Sequence, residues 1–179
     1  MFFSFHCFGA KTFNISNAPG LVRFSATGAP GNFKINGTTE NKPSVLSGTV
    51  VQEGKALNLT SSFNLSQLDT GIGLRTQHMK EKYLEVGKFP SATLTVKNIA
   101  FASEQNGVPV PFQGELEFHG IKKVISGTLK LDSKNDCLSL DCDFSINLTD
   151  FGIEVPTFAG VTVNNQIPIQ VEFRNAKAS

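Results

Sequence analysis

Tryptophan is absent, and the 179 residues include one Tyr and two Met. Sixteen Phe supply nearly all the aromatic content. Phe brings apolar area without a polar tip, so these aromatics belong to an apolar interior. An excess of either charge is also missing: sixteen Lys+Arg face fifteen Asp+Glu, a net charge of +1. This balance argues against nucleic acid as a main partner, because phosphate binding needs a clustered cationic surface. No apolar run reaches the roughly 18 residues of a membrane-crossing helix, so no transmembrane segment is expected. P-loop, GxGxxG, HExxH and GxSxG motifs are all missing. What remains is a chain with 40% apolar and 17% charged residues. That composition excludes a disordered, acidic or coiled-coil protein. The length suits one domain, burying roughly 70% of its unfolded surface.

Residues 1–10, MFFSFHCFGA, read as the end of a secretory signal peptide, with apolar Phe followed by small residues. Cys7 and Gly9 are the small pair before a cleavage. The basic n-region is missing and the apolar run is short, so a truncated remnant is expected over residues 1–10, with one domain over 11–179. The plainer alternative is a Phe-rich tail. A signal implies a periplasmic or secreted protein. Cys137 and Cys142, five residues apart on one strand, point to opposite faces. They bridge only if one lies at a bent strand end, since a disulfide needs Cα atoms within about 7 Å. Two unpaired thiols fit this spacing better.

The dominant pattern has period two, the mark of strands with one buried face. Leu57, Leu59, Ser61, Phe63 and Leu65 share a phase, as do Leu138, Leu140, Cys142, Phe144, Ile146 and Leu148. Ile167, Ile169, Val171 and Phe173 form a third row. Shorter runs fit strands over 21–26, 33–39, 45–51, 92–101, 112–119 and 124–131. Turn residues separate them: Glu53-Gly54, Asn106-Gly107, Gly120, Lys134-Asn135-Asp136 and Asn164-Asn165. Pro168 belongs at an edge or beside a bulge. The reading is all-β, an extended antiparallel barrel of about eight strands. One segment departs from it. Over Thr76–Val86, Met79, Tyr83 and Val86 fall on one helical face, and Gly87 and Pro90 follow as stop signals. A helix this short must pack on the barrel.

Few residues suggest chemistry. Gly71-Ile72-Gly73 is a strand-to-helix turn in the simplest reading. His6 falls in the signal-like segment, His78 lies beside the apolar helix face, and His119 ends a strand before Gly120; their spacing offers no local metal chelate. Asp141 and Asp143 share the face opposite the apolar row and read as a solvated pair. Asn-x-Ser/Thr triplets at Asn14, Asn36, Asn58, Asn64 and Asn147 read as polar outer surface. The apolar rows face one interior, which a small barrel either fills with side chains or leaves hollow for a ligand. Periodicity does not separate the two. An enzyme would need His78 or His119 to line a pocket beside a carboxylate.

Three stretches carry a family resemblance. LSQLDTGIGLRTQHMKEKYLEVGKFP over residues 65–90 resembles the YceI-like signature: an Asp-Thr-Gly turn, a basic residue, a short helix and a Phe-Pro before the next strand. GELEFHGIKKV over 114–124 resembles that family's hairpin, and NLTDFGIEVP over 147–156 its Asp-Phe-Gly-Ile segment. Order and spacing agree from about residue 20 to 174. The stretch FSATGAPGNF over 24–33 departs from the family, lacking the His often found near the first strands. The resemblance implies a lipocalin-like barrel, usually exported, that holds a long isoprenoid or isoprenoid-quinone-like lipid. It implies no enzyme activity and no cofactor other than that lipid. Asp69, Gly71, Pro90, Gly120 and Gly152 are expected to shape turns. Strand phase then places Phe63, Leu65, Leu94, Val96, Phe101, Phe118, Leu129, Phe144, Ile146, Leu148, Val171 and Phe173 around the ligand, with Met79 and Tyr83 closing the helix side. The competing reading is a filled barrel acting as an interaction or structural module of the cell envelope, and a homodimer stays open as its assembly.

Overall fold

Among the described residues, twelve strands pair into one antiparallel sheet that curls on itself. The computed structural model of the chain describes residues 10–31, 33–40, 43–101, 106–158 and 160–179. Most of the signal-like segment, including Cys7 and Gly9, therefore lies outside the described residues. The strands are β1 (Lys11–Asn14), β2 (Gly20–Ala29), β3 (Phe33–Thr38), β4 (Leu46–Glu53), β5 (Ala56–Asn64), β6 (Ser91–Ala100), β7 (Pro109–Phe118), β8 (Ile121–Lys134), β9 (Cys137–Asn147), β10 (Thr157–Phe158), β11 (Val161–Val163) and β12 (Gln166–Lys177). Eight of them, β2, β4 to β9 and β12, have eight or more residues. These correspond to the long alternating runs in the sequence. The short β1, β10 and β11 have too few residues for a period to show.

Turn chemistry sets the register. In the β7–β8 hairpin Phe118 pairs with Ile121, leaving His119 and Gly120 as a two-residue loop. Both have positive φ, 51° and 72°, as a type I′ turn requires. Asn135 and Asp136 join β8 to β9 in the same way, with φ of 50° and 58°. Two bulges bend the sheet. One lies between β5 and β6, where Asn98 takes φ of 55° and its N–H donates to the Asn58 side-chain oxygen at 2.9 Å. The other lies on β12 between Phe173 and Ala176. An extra residue in one strand increases local twist, which lets a wide sheet roll up. Pro168 lies on β12 beyond the last residue paired with β2, where its missing N–H costs no ladder bond.

The strand order runs β1-β4-β5-β6-β7-β8-β9-β12-β2-β11-β10, with β3 also on β2. Short links complete the circle. At one end Phe13 of β1 pairs with Ala178, and the Ser179 N–H donates to the Thr12 carbonyl. At the other, Thr38 and Asp69 exchange two backbone hydrogen bonds, tying β3 to the segment after β5. Between β5 and β6 the chain forms α1 (Gly73–His78) and a π-helical turn over Met79–Tyr83. The helical segment thus starts three residues before the expected Thr76 and stops before Val86. Glycine at the first helical position hid the first turn, since glycine is a poor helix former. Met79, Tyr83 and Val86 do pack half-buried against the core.

Burial follows the phase read from the sequence. Leu57, Leu59, Ser61, Phe63 and Leu65 are all buried, as is every member of the row from Leu138 to Leu148. The interior is not uniform along its axis. Phe13, Ile15, Val50, Leu57, Leu129, Leu131 and Leu138 are fully buried and pack the end where β1 closes the circle. The opposite half is hollow.

Candidate functional site

The hollow half holds a cavity of about 570 Å³ whose wall is almost wholly apolar side chains. That volume lies within the roughly 300–1,000 Å³ of small-molecule sites. Of the fourteen residues chosen by phase and helix face, eleven line it: Phe63, Leu65, Met79, Tyr83, Leu94, Phe118, Phe144, Ile146, Leu148, Val171 and Phe173. Val96 and Leu129 belong instead to the packed core, with 1% and 0% exposure, and Phe101 is buried away from the cavity as well. Period two selects the inward face of a strand but carries no information about height along the tube. Residues on the correct face of the filled end therefore look the same in sequence as those on the cavity wall.

Several wall residues escaped the sequence reading. Ile167 and Ile169 lie on the same row as Val171 and Phe173, and Leu116 on the same face as Phe118, so phase alone identifies them. Val22 and Phe24 of β2 also contribute. The Phe24 ring lies where a side chain at position 37 would stand: a Cβ on Gly37 would come within 1.9 Å of it. Gly37 therefore admits the ring against β3. Ile153 and Pro156 come from the irregular connection after β9, and Val161 and Val163 from the three-residue β11, too short for a period to mark them.

The helical segment closes one side and, with Ser61 of β5, brings the polar groups. Asp69 accepts from the Gly71 N–H at 2.7 Å and from the Thr76 hydroxyl at 2.9 Å. These bonds, the Gly71 one foremost, hold the Asp69 carboxyl below its ordinary pKa. Thr70, itself buried, accepts Arg75 Nε on its hydroxyl at 3.1 Å and a second guanidinium nitrogen on its carbonyl. Arg75 and His78 both reach the cavity rim. Asp69, Gly71, Gly120 and Gly152 act in turns as the sequence suggested, with positive φ at all three glycines. The Pro90 carbonyl accepts the Leu65 N–H at 2.9 Å and so fixes both ends of the helical excursion.

The other reactive side chains stand in different settings. Cys142 lies in the cavity wall, where burial pushes its thiol up to about 12, with the Asp143 charge adding to the effect. A thiol in that state is a small apolar group rather than a nucleophile. Cys137 and Cys142 are both free. His119 leaves the cavity and packs under the helical excursion: Nδ1 lies 3.0 Å from the Phe151 carbonyl, Nε2 3.3 Å from a Glu85 carboxylate oxygen, and the ring 4.4 Å from Phe89. The longer Glu85 contact lacks hydrogen-bond alignment. Asp141 points outward and is paired with Arg174, which also meets Glu172. Among the described residues, no three His, Cys, Asp or Glu side chains come together as a metal centre requires.

Several solved structures share this fold. BcnA of Burkholderia cenocepacia matches with a TM-score of 0.68 at 15% identity, covering 87% of this chain and 96% of its own. A polyisoprenoid-binding domain from Saccharophagus degradans, implicated in plant cell wall breakdown, matches with a TM-score of 0.66 at 16% identity over 93% and 98%. The Campylobacter jejuni YCEI protein matches with a TM-score of 0.54 at 16% identity over 74% and 82%. At such identities the likeness is one of fold. No match is found among curated protein sequences. The YceI-like domain profile matches residues 12–174, nearly the whole described chain, and with it the motifs around the helical excursion, the β7–β8 hairpin and the Asp-Phe-Gly-Ile segment: the chain belongs to the YceI-like family.

Proposed function

We propose that this protein binds a long-chain isoprenoid or isoprenoid-quinone-like lipid in the hollow half of its barrel. It then carries or sequesters that lipid without a covalent step. The observation that carries the reading is the cavity of about 570 Å³, walled by the inward rows of β5, β7, β9 and β12. Family membership supports it, as does the fold shared with a domain described as polyisoprenoid-binding. The energetics suffice. Burying about ten hydrocarbon carbons yields roughly 8 kcal/mol gross at ~0.8 kcal/mol per methylene. That corresponds to about micromolar affinity before ordering costs. A longer chain binds tighter with no need for a charged anchor.

The setting proposed for this activity is the periplasm or the cell exterior, on the signal-like character of residues 1–10. The chemistry of the wall supports binding over catalysis. The Cys142 thiol in it is driven far from ionisation, and the histidine that meets a carboxylate, His119, lies off the cavity. Native mass spectrometry of the purified protein, followed by organic extraction, tests the proposal. A stoichiometric adduct that extracts as an isoprenoid is expected. Protein that stays ligand-free, and takes up no isoprenoid when offered one, would reject it.

A further inference from the structure

The cavity opens between exposed apolar side chains. Phe33 at the start of β3, Ile72 just before α1 and Leu74 within it all line the cavity, yet are 51%, 55% and 65% exposed. A side chain that borders a cavity and still faces solvent stands at its opening. Two separate elements thus place large apolar groups where the cavity wall meets solvent. Val124, also exposed, lies on β8 away from the cavity and belongs to no such group.

Two cations adjoin the apolar mouth: Arg75, which lines the cavity, and Lys34, which follows Phe33 on β3. Arg75 is aimed at the rim by its two bonds to Thr70, and among the described residues no carboxylate pairs with it. Exposed apolar side chains with an arginine on the rim match the interface of an anionic bilayer, with acyl chains beneath phosphate. A protein with an enclosed apolar cavity also faces a kinetic problem that this arrangement solves. An isoprenoid is nearly insoluble, so passage through water between bilayer and cavity is costly.

We infer that the mouth formed by Phe33, Ile72 and Leu74 docks on an anionic phospholipid surface, where the cavity exchanges its lipid directly with the bilayer. This inference rests on the lipid-binding reading for its purpose, but docking is measurable without any cargo.

The test is flotation of the full-length protein with vesicles of phosphatidylethanolamine and phosphatidylglycerol, and with vesicles of phosphatidylcholine alone. The wild type is expected to float with the anionic vesicles and less with the neutral ones. Binding should weaken with added salt as the screening length falls from about 10 Å at 0.1 M to about 3 Å at 1 M. Ile72→Ser/Leu74→Ser and Phe33→Ser are each expected to lower vesicle partitioning by about tenfold or more, the order set by lost apolar insertion. Val124→Ser removes an exposed apolar group elsewhere and should float like the wild type. Circular dichroism and thermal melting confirm that each variant is folded.

A wild type that stays with the vesicle-free fraction overturns the inference, as does equal flotation of wild type and the Ile72/Leu74 variant. So does a concentration-dependent dimer, abolished by that variant, in a wild type that ignores vesicles; the patch is then a contact between copies. Lipid extraction separates this failure from that of the binding reading. Protein that carries isoprenoid but never floats loses only the docking. Protein that floats but never carries isoprenoid keeps the docking and loses the cargo.

Discussion

A single inward position on β9 distinguishes binding from mere folding. Phe144 lies in the cavity wall, paired with Gly127 on one side and Ile169 on the other. Phe144→Asp puts an unpaired charge into that wall. It is expected to abolish lipid retention and to cost more than about 3 kcal/mol of stability, measured by extraction and by chemical denaturation. Asp141, three residues earlier, faces outward in a surface ion pair with Arg174. Asp141→Asn should change stability by no more than about 1 kcal/mol and leave lipid content alone. The contrast was legible from the alternation of Leu140, Cys142 and Phe144 with Asp141 and Asp143. The inward position of His119 was not. It follows from a type I′ turn that swings the side chain beneath Glu85, a contact made by distant segments.

The helical excursion between β5 and β6 is the element that sequence located but did not delimit. Its start depends on Asp69, Thr70 and Thr76 bonding around Gly71, and its end on a π turn in which the Leu84 N–H reaches back to the Met79 carbonyl. Neither has a strong local signature, whereas the spacing of Met79, Tyr83 and Val86 does. Three Asn-x-Ser/Thr triplets also gain an element-scale meaning. Asn14, Asn64 and Asn147 each end a strand, and the first two accept the N–H two residues on at 2.9 Å. They are turn formers at strand exits. Asp69→Ala is expected to raise amide exchange across residues 71–83 while leaving β8 protected, read by hydrogen–deuterium exchange. Because the Asp69 carboxyl is held below its ordinary pKa, its contribution is complete above that ordinary value. It is lost as pH falls through the lower folded one. Acidification of the wild type should therefore loosen the same segment, and Asp69→Ala should remove that pH dependence.

Across the whole molecule, two halves of one tube divide the labour. The end closed by β1 is solid with side chains such as Leu57, Leu131 and Leu138, and the other end is hollow. Leu57→Ala, in the solid end, is expected to cost about 2–5 kcal/mol in denaturant unfolding while the protein keeps its lipid. The long strands and their inward faces were plain in the sequence, because alternation repeats over many residues. The division into solid and hollow was not, because it depends on where β1, the two bulges and the connection before β12 come to rest. Val96, Phe101 and Leu129 were assigned to the ligand for that reason.

A crystal structure of the protein purified with its extractable lipid tests the hollow half most directly. The expected result is continuous hydrocarbon density beside Phe63, Phe118 and Phe144 that ends above Leu57 and Leu138. Density absent from that space, with the surrounding side chains collapsed to fill it in protein that has been offered isoprenoid, would contradict the account.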